Sequence, residues 1–218
     1  MGSVSEAIAR YRKELEPYAA QLVAVSKTKP QELILEAYDH GQRDFGENKV
    51  QDLVQKYEAL PKDIRWHMVG HLQTNKVKYI APFVHMIHSV DSWKLLKEIN
   101  KQGARFDRTI QVLLQGHIAR EETKFGLDKA EILSLVGSSE LGRLPNVRIA
   151  GLMGMATNTD DEEVVASEFA GLKATFDELK ASHELSTLSM GMTNDYRIAL
   201  RNGATMIRIG SDIFGERY

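Results

Sequence analysis

Eight short apolar runs of strand type alternate with amphipathic helical stretches along the whole chain, and this rhythm constrains the fold more than any single motif. The strand-type runs lie at 22–26, 44–46, 65–69, 84–87, 109–115, 147–151, 186–189 and 206–209. Helical periodicity fills 31–40, 50–58, 75–80, 93–101, 129–136, 160–180 and 195–201, and a further helix at 4–15 precedes the first strand and ends before Pro17. Strands this apolar are buried on both faces, and parallel neighbours need a crossover helix between them. Eight βα units with no linker rich in Pro, Gly or Ser predict one closed (β/α)8 TIM barrel over residues 1–218, an α/β fold whose extra N-terminal helix covers the floor or flank. An open doubly wound sheet would carry a Gly-rich phosphate turn after its first strand, and Ser26-Lys27-Thr28-Lys29-Pro30 is not one.

Composition narrows the function classes. A chain of 218 residues, 43% hydrophobic, buries one sizeable core. With 28 basic and 30 acidic residues it advertises neither nucleic acid nor an anionic membrane as partner. The absence of cysteine removes disulfides, thiolate nucleophiles and cysteine-ligated metals, and fits a reducing cytoplasm. No apolar run approaches the ~20 residues of a membrane span. The expectation is a soluble, cytoplasmic, monomeric protein.

In such a barrel the chemistry collects at the C-terminal ends of the strands. There the first strand delivers Lys27. A lysine whose stem is packed and whose ammonium is partly desolvated attacks carbonyls, the chemistry by which pyridoxal 5'-phosphate is held as a Schiff base. The segment taken alone favours the plainer reading, a lysine that covers apolar surface with its stem and keeps its charge in water. Asn48 follows the second strand as a helix cap or a pocket-facing amide, and Asp91 with Ser92 offers an N-cap. Small residues in Ser189-Met190-Gly191-Met192-Thr193 and Arg208-Ile209-Gly210-Ser211 follow the last two strands, where such barrels bind phosphate; backbone N–H groups and the hydroxyls of Thr193 and Ser211 suit a dianion. His67, His71, His85 and His88 show no flanking carboxylate that would complete a metal set, so no metal is expected. No Ser-His-Asp constellation stands out, and Lys49, Lys56, Lys76 and Lys78 read as solvated helix faces.

The motifs Val23-Ala24-Val25-Ser26-Lys27-Thr28-Lys29-Pro30, Phe45-Gly46-Glu47-Asn48-Lys49-Val50-Gln51, Trp66-His67-Met68-Val69-Gly70-His71-Leu72-Gln73-Thr74-Asn75-Lys76, Leu188-Ser189-Met190-Gly191-Met192-Thr193 and Arg208-Ile209-Gly210-Ser211-Asp212-Ile213-Phe214-Gly215 resemble, in that order, the pyridoxal phosphate homeostasis protein family. The resemblance implies a fold-type III barrel like the N-terminal domain of alanine racemase, with Lys27 as the Schiff-base lysine. It also implies Ser189, Thr193, Gly210 and Ser211 around the phosphate, Arg208 near the pyridine nitrogen and Asn48 by the ring. A guanidinium beside that nitrogen leaves the ring a poor electron sink. One departure is Gln115-Gly116-His117-Ile118 where the family carries Gln-Val-Asn-Ile, although Glu122, Lys124 and Gly126 keep the pattern that follows. Lys124 would lie in the family's mobile loop as a residue for secondary cofactor contact or transfer, or as a plain solvated lysine.

Two function classes follow from the resemblance. In the first, the chain binds pyridoxal phosphate, exchanges it with B6 vitamer pools and apo pyridoxal enzymes, and catalyses nothing. In the second it is an amino-acid racemase, which needs a second base on the opposite face of the cofactor. Racemases of this type resemble this barrel plus a C-terminal β domain, with a tyrosine from the partner subunit as that base. The chain stops at Tyr218, so the expectation is neither domain nor second base, and the first class is preferred.

Overall fold

The computed structural model describes residues 3–121 and 125–215 and closes into an eight-stranded, all-parallel barrel in sequence order. Its strands are β1 (Gln21–Val25), β2 (Asp44–Glu47), β3 (Arg65–Met68), β4 (Met86–Val90), β5 (Ile110–Gly116), β6 (Val147–Gly154), β7 (Thr187–Ser189) and β8 (Met206–Ile209). The helices are α1 (Val4–Leu15), α2 (Gln31–Asp39), α3 (Val50–Ala59), α4 (Val77–Ile80), α5 (Trp93–Arg105), α6 (Lys129–Val136), α7 (Glu162–Lys180), α8 (Tyr196–Arg201) and α9 (Ser211–Phe214). The seam is closed by β1 and β8, with Val23 opposite Arg208 and Ala24 opposite Ile209.

Period-2 alternation sorts each strand. On β1 and β8, Leu22, Ala24, Ile207 and Ile209 join the large core between strands and helices, while Val23 and Met206 point into the barrel with Met86, Leu113, Ala150 and Met153. One strand begins later than its sequence suggests. Val84 donates its backbone N–H to the Ile80 carbonyl and so finishes the turn after α4, and β4 starts at Met86. His88, Ser89 and Val90 are therefore strand residues, all buried. The Asp91 cap is taken by Ser92, whose hydroxyl accepts from the Leu95 N–H at 3.3 Å.

The extra helix lies on the flank. Helix α9, which follows β8, is a single turn, and α1 packs against α2, α9 and β1 where a full eighth helix would sit. Polar contacts pin it there. Tyr11 donates to Asp212 at 2.5 Å, Arg10 pairs with the same carboxylate, and Tyr196 donates to Glu14 at 2.7 Å. The Tyr11 and Tyr196 rings meet edge to face at 5.3 Å. Thus α1 grips the helices that follow both β7 and β8.

Lys56, read from the sequence as a solvated helix face, is instead 7% exposed. Its Nζ donates to Glu47 Oε1 at 2.6 Å and to the Ser26 carbonyl at 2.8 Å, and Ser26 Oγ donates to the same Glu47 oxygen at 2.6 Å. Helical spacing placed Lys56 on the outer face of α3, but Glu47, an outward residue of β2, draws it under the helix. The pair clamps the residue immediately before Lys27. Burial lifts the Glu47 carboxyl above its ordinary value of 4.5 and outweighs the opposing pull of Lys56 and Ser26. A group held above its ordinary value contributes stability that is full below about pH 4.5 and is lost as pH rises through its folded value.

Replacing Lys56 with Met leaves a buried carboxylate without its cation, and the expected loss in denaturant-unfolding experiments at pH 7 is about 3 kcal/mol or more. Adding Glu47→Gln to that variant restores part of the loss and flattens the fall of stability with rising pH. A Lys56→Met protein as stable as the parent contradicts the clamp.

Candidate functional site

Beyond β1 the chain turns tightly: the Lys29 N–H bonds back to the Ser26 carbonyl at 3.0 Å, and Thr28 takes a left-handed φ of 63°. Lys27 is half-buried in this turn, two residues beyond the strand. It faces a cavity of about 700 Å3 at the C-terminal mouth of the barrel, within the size range of small-molecule sites. Of the residues singled out in the sequence, Lys27, Asn48, Thr193, Arg208, Gly210 and Ser211 all line it.

Each arrives by a local device. Lys49, not Asn48, stands at the cap position of α3 and makes no side-chain cap bond, leaving the Asn48 amide on the cavity wall. Gly70 fits against that backbone only because it lacks a side chain; a Cβ there would lie 2.4 Å from the Asn48 carbonyl oxygen. After β7, Gly191 at φ 95° bends the chain toward the mouth and accepts from the Arg208 N–H at 2.9 Å. Thr193 then meets Ser211, whose Oγ donates to Thr193 Oγ1 at 3.3 Å. The two hydroxyls stand beside Gly210, whose missing side chain leaves open space that a Cβ, 3.1 Å from the Val25 carbonyl oxygen, would fill.

Ser189 is placed differently from this group. It is fully buried, lies beneath the cavity wall and accepts from Arg208 Nη1 at 2.7 Å. Arg208 Nη2 donates to the Gly154 carbonyl at 3.1 Å. Both acceptors are neutral, and burial pushes the guanidinium down to about 10, which leaves it cationic at neutral pH.

Three features escaped the sequence. Lys29 is 7% exposed and shares the cavity wall with Lys27. The segment after β6 forms the opposite wall, tied by Thr157, which donates through its N–H and Oγ1 to Glu168 at 2.7 Å each. The barrel rule that places sites after strand ends applied equally to that segment. Third, a Ser-His-His-Asp line that the sequence did not reveal runs inside the barrel, through Ser189, His88, His67 and Asp44. Asp44 also supplies the carboxylate that the histidines lacked in sequence: Asp44, His67 and His85 bring ligand atoms within 4.8 Å of one another. Arg65 holds both Asp44 oxygens through Nε and Nη2, so a metal there would have to displace a guanidinium. His117 Nε2 meets the Glu121 carbonyl at 2.9 Å. Glu122 and Lys124 lie outside the described residues.

The donor set fits a phosphorylated aldehyde. Lys27 supplies the amine, Thr193, Ser211 and the bare backbone at Gly210 suit a phosphate, and buried Arg208 borders the same cavity.

Residues 2–218 match the family described as "Alanine racemase, N-terminal domain". The chain is 40% identical to the pyridoxal phosphate homeostasis protein of Aquifex aeolicus over 91% of its own length and 87% of that protein's, and 37% identical to the human protein of the same name over 98% and 82%. Among solved structures, PipY of Synechococcus elongatus without PLP is similar with a TM-score of 0.91 at 36% identity, covering 98% of this chain and 100% of that one; the PLP-bound form gives 0.87. Alanine racemase from Bartonella henselae shares the fold, with a TM-score of 0.71 at 16% identity over 98% of this chain and 61% of that one. The chain belongs to the pyridoxal phosphate homeostasis protein family, built on the alanine racemase N-terminal domain.

Proposed function

We propose that this protein holds pyridoxal 5'-phosphate on Lys27 and carries or buffers it for the cell's B6 pool without catalysing a reaction of its own. The observation that carries this reading is the meeting, across one cavity, of a lysine amine on the β1 turn with the hydroxyl-bearing loops after β7 and β8. When bound, the cofactor supplies an aldehyde that condenses with an amine and a pyridine ring that can draw electrons. The 36% identical PipY was solved with PLP bound, and the relatives at 37–40% identity carry the homeostasis name.

The protein's own residues divide the work. Lys27 provides the covalent attachment, Asn48 borders the ring, and Thr193, Gly210 and Ser211 cup the phosphate. Ser189 acts one layer lower, by holding Arg208. Arg208, a fixed cation on the cavity wall, would face the ring nitrogen, keep it unprotonated and so weaken the electron sink on which a racemase depends. That favours holding over turnover. Apo pyridoxal enzymes are the natural recipients, in the cytoplasm, from a monomeric carrier. Among the described residues no helix is long and apolar enough to cross a membrane.

Adding pyridoxal phosphate to the purified protein is expected to give a visible absorption band, and borohydride reduction followed by peptide mass mapping to place the label on Lys27. Lys27→Ala should fold normally and lose both. An undiminished band in that variant, or a label elsewhere, overturns the assignment.

The grip of α1 gives a second expectation. Asp212 follows Ser211 directly, so Tyr11→Phe frees the turn that presents the phosphate hydroxyl. Affinity for pyridoxal phosphate should fall roughly fivefold, about 1 kcal/mol, while affinity for pyridoxal, which lacks the phosphate, stays unchanged. Equal losses for the two would show that Tyr11 has only a general structural role.

A further inference from the structure

Barrels of this kind are ordinarily filled by layers of branched apolar side chains. This one also encloses Asp44, His67, His88, Ser189 and Arg208, each no more than 5% exposed, and they form one unbroken column. Arg208 Nη1 donates to Ser189 Oγ at 2.7 Å, Ser189 Oγ meets His88 Nδ1 at 3.2 Å, His88 Nε2 meets His67 Nδ1 at 2.9 Å, and His67 Nε2 meets Asp44 Oδ1 at 3.1 Å. Hydrogen-bond logic gives the column a direction. The Asp44 carboxylate is acceptor only, so His67 Nε2 carries a proton. At the other end Arg208 only donates, so Ser189 accepts from it and gives its hydroxyl hydrogen to His88 Nδ1, and His88 donates Nε2–H to His67 Nδ1. Every donor points from the cofactor cavity toward Asp44. Burial, with His67 and Arg208 nearby, holds His88 well below its ordinary value and keeps it neutral.

The column ends at the opposite face. Asp44 is held by the Arg65 fork, and both residues line a basin of about 540 Å3 among the N-terminal ends of β1, β2 and β3, together with Arg12, Lys13, Arg43 and Glu16. Four cations face two carboxylates there. Arg43 is already taken by Asp63, by the Tyr38 and Gln42 carbonyls and by the Tyr38 ring. Among the described residues Arg12 uses only Nη1, on the His40 carbonyl, and Lys13 makes no hydrogen bond or ion pair. Arg12, Lys13 and the outer edge of Arg65 thus present cationic donors to one space, and among the described residues the only carboxylate lining it that is not already in an ion pair is Glu16.

We propose that this basin binds a small polyanion with clustered phosphate or carboxylate oxygens, and that its binding is passed through the buried column to Arg208. The coupling follows from the polarity of the column. A polyanion shares the Arg65 guanidinium and weakens its fork on Asp44. The carboxylate then draws closer to the His67 Nε2–H and pulls that ring toward the basin. That shift strains the bond His67 Nδ1 accepts from His88 Nε2–H, and the His88 ring follows. Ser189, whose hydroxyl donates to His88 Nδ1, is drawn with that ring, which loosens the bond that positions the Arg208 guanidinium on the cavity wall. Linkage makes the effect reciprocal: the cofactor changes polyanion affinity by the factor that the polyanion changes cofactor affinity.

The relayed half rests on the cofactor reading above, but the binding half does not. Inorganic pyrophosphate is the probe, titrated calorimetrically into protein loaded with pyridoxal phosphate, so that the phosphate cup is already filled. One site is expected, weakened by salt, with at least a threefold change in cofactor dissociation constant at saturation. Arg12→Ala with Lys13→Ala should abolish both the binding and the change. His88→Leu should keep pyrophosphate binding and lose the effect on the cofactor. Ser189→Ala, a smaller change to the packing, interrupts the same column and should behave alike if His88→Leu fails to fold. Absence of binding, binding that survives the double substitution, or a cofactor response that survives interruption of the column overturns the proposal. If the parent protein takes up no cofactor, the titration of unloaded parent and double variant still reports on the basin alone, and the two failures are told apart.

Discussion

Everything at the mouth of this barrel depends on the pairing of β8 with β1. Strand closure aligns Val23 with Arg208 and Ala24 with Ile209, so the turn that carries Lys27 is laid beside the turn that carries Gly210 and Ser211. These are the first and last βα units of the chain, and no local interaction could bring them together. Closure also removes both sheet edges, which an open sheet would leave as rows of unpaired backbone groups. The one-turn α9 leaves the seam thinly covered, and α1 makes good the deficit. The helix that the barrel topology does not require is thereby tied to the helices that follow β7 and β8.

Polar groups are buried at the points where the site must be held still. Glu47 and Lys56 lie outside the barrel wall and hold the Ser26 backbone, while Ser189 and His88 lie inside it and hold Arg208. Each ion or ring costs desolvation that an apolar side chain would not incur. The apolar core of strand faces and helix stripes supplies the stability against which that cost is set. The consequence is a rigid first lysine turn and a rigid guanidinium, which suits a protein whose task is to hold a cofactor in one pose.

Much of this was legible from the residues alone. All eight strands follow from apolar runs, and the site residues at their ends follow from the barrel rule together with the motif resemblance, because both are local in sequence. What stayed hidden depends on register. Asp44, His67 and His88 sit on three successive strands, and nothing in any one segment says that Gly46 pairs with His67 or that His67 lies opposite Met86. The same limit applies to Lys56, whose helical spacing faces it outward until Glu47 on the neighbouring strand draws it in. His88 and Ser89 read as loop because polar residues rarely sit in a barrel interior. Ser189 was grouped with the phosphate residues by its motif, although the pleat turns it inward beneath Arg208.

With pyridoxal phosphate bound as proposed, its ring nitrogen would lie against the permanent cation of Arg208. The most direct measurement is the 15N chemical shift of ring-labelled pyridoxal phosphate bound to this protein, recorded across neutral pH. A shift in the range of neutral pyridine, moving toward that of a protonated ring when Arg208 is replaced by Glu, is the predicted result. A pyridinium shift in the parent protein would contradict it and return the chain to the company of cofactor-dependent catalysts.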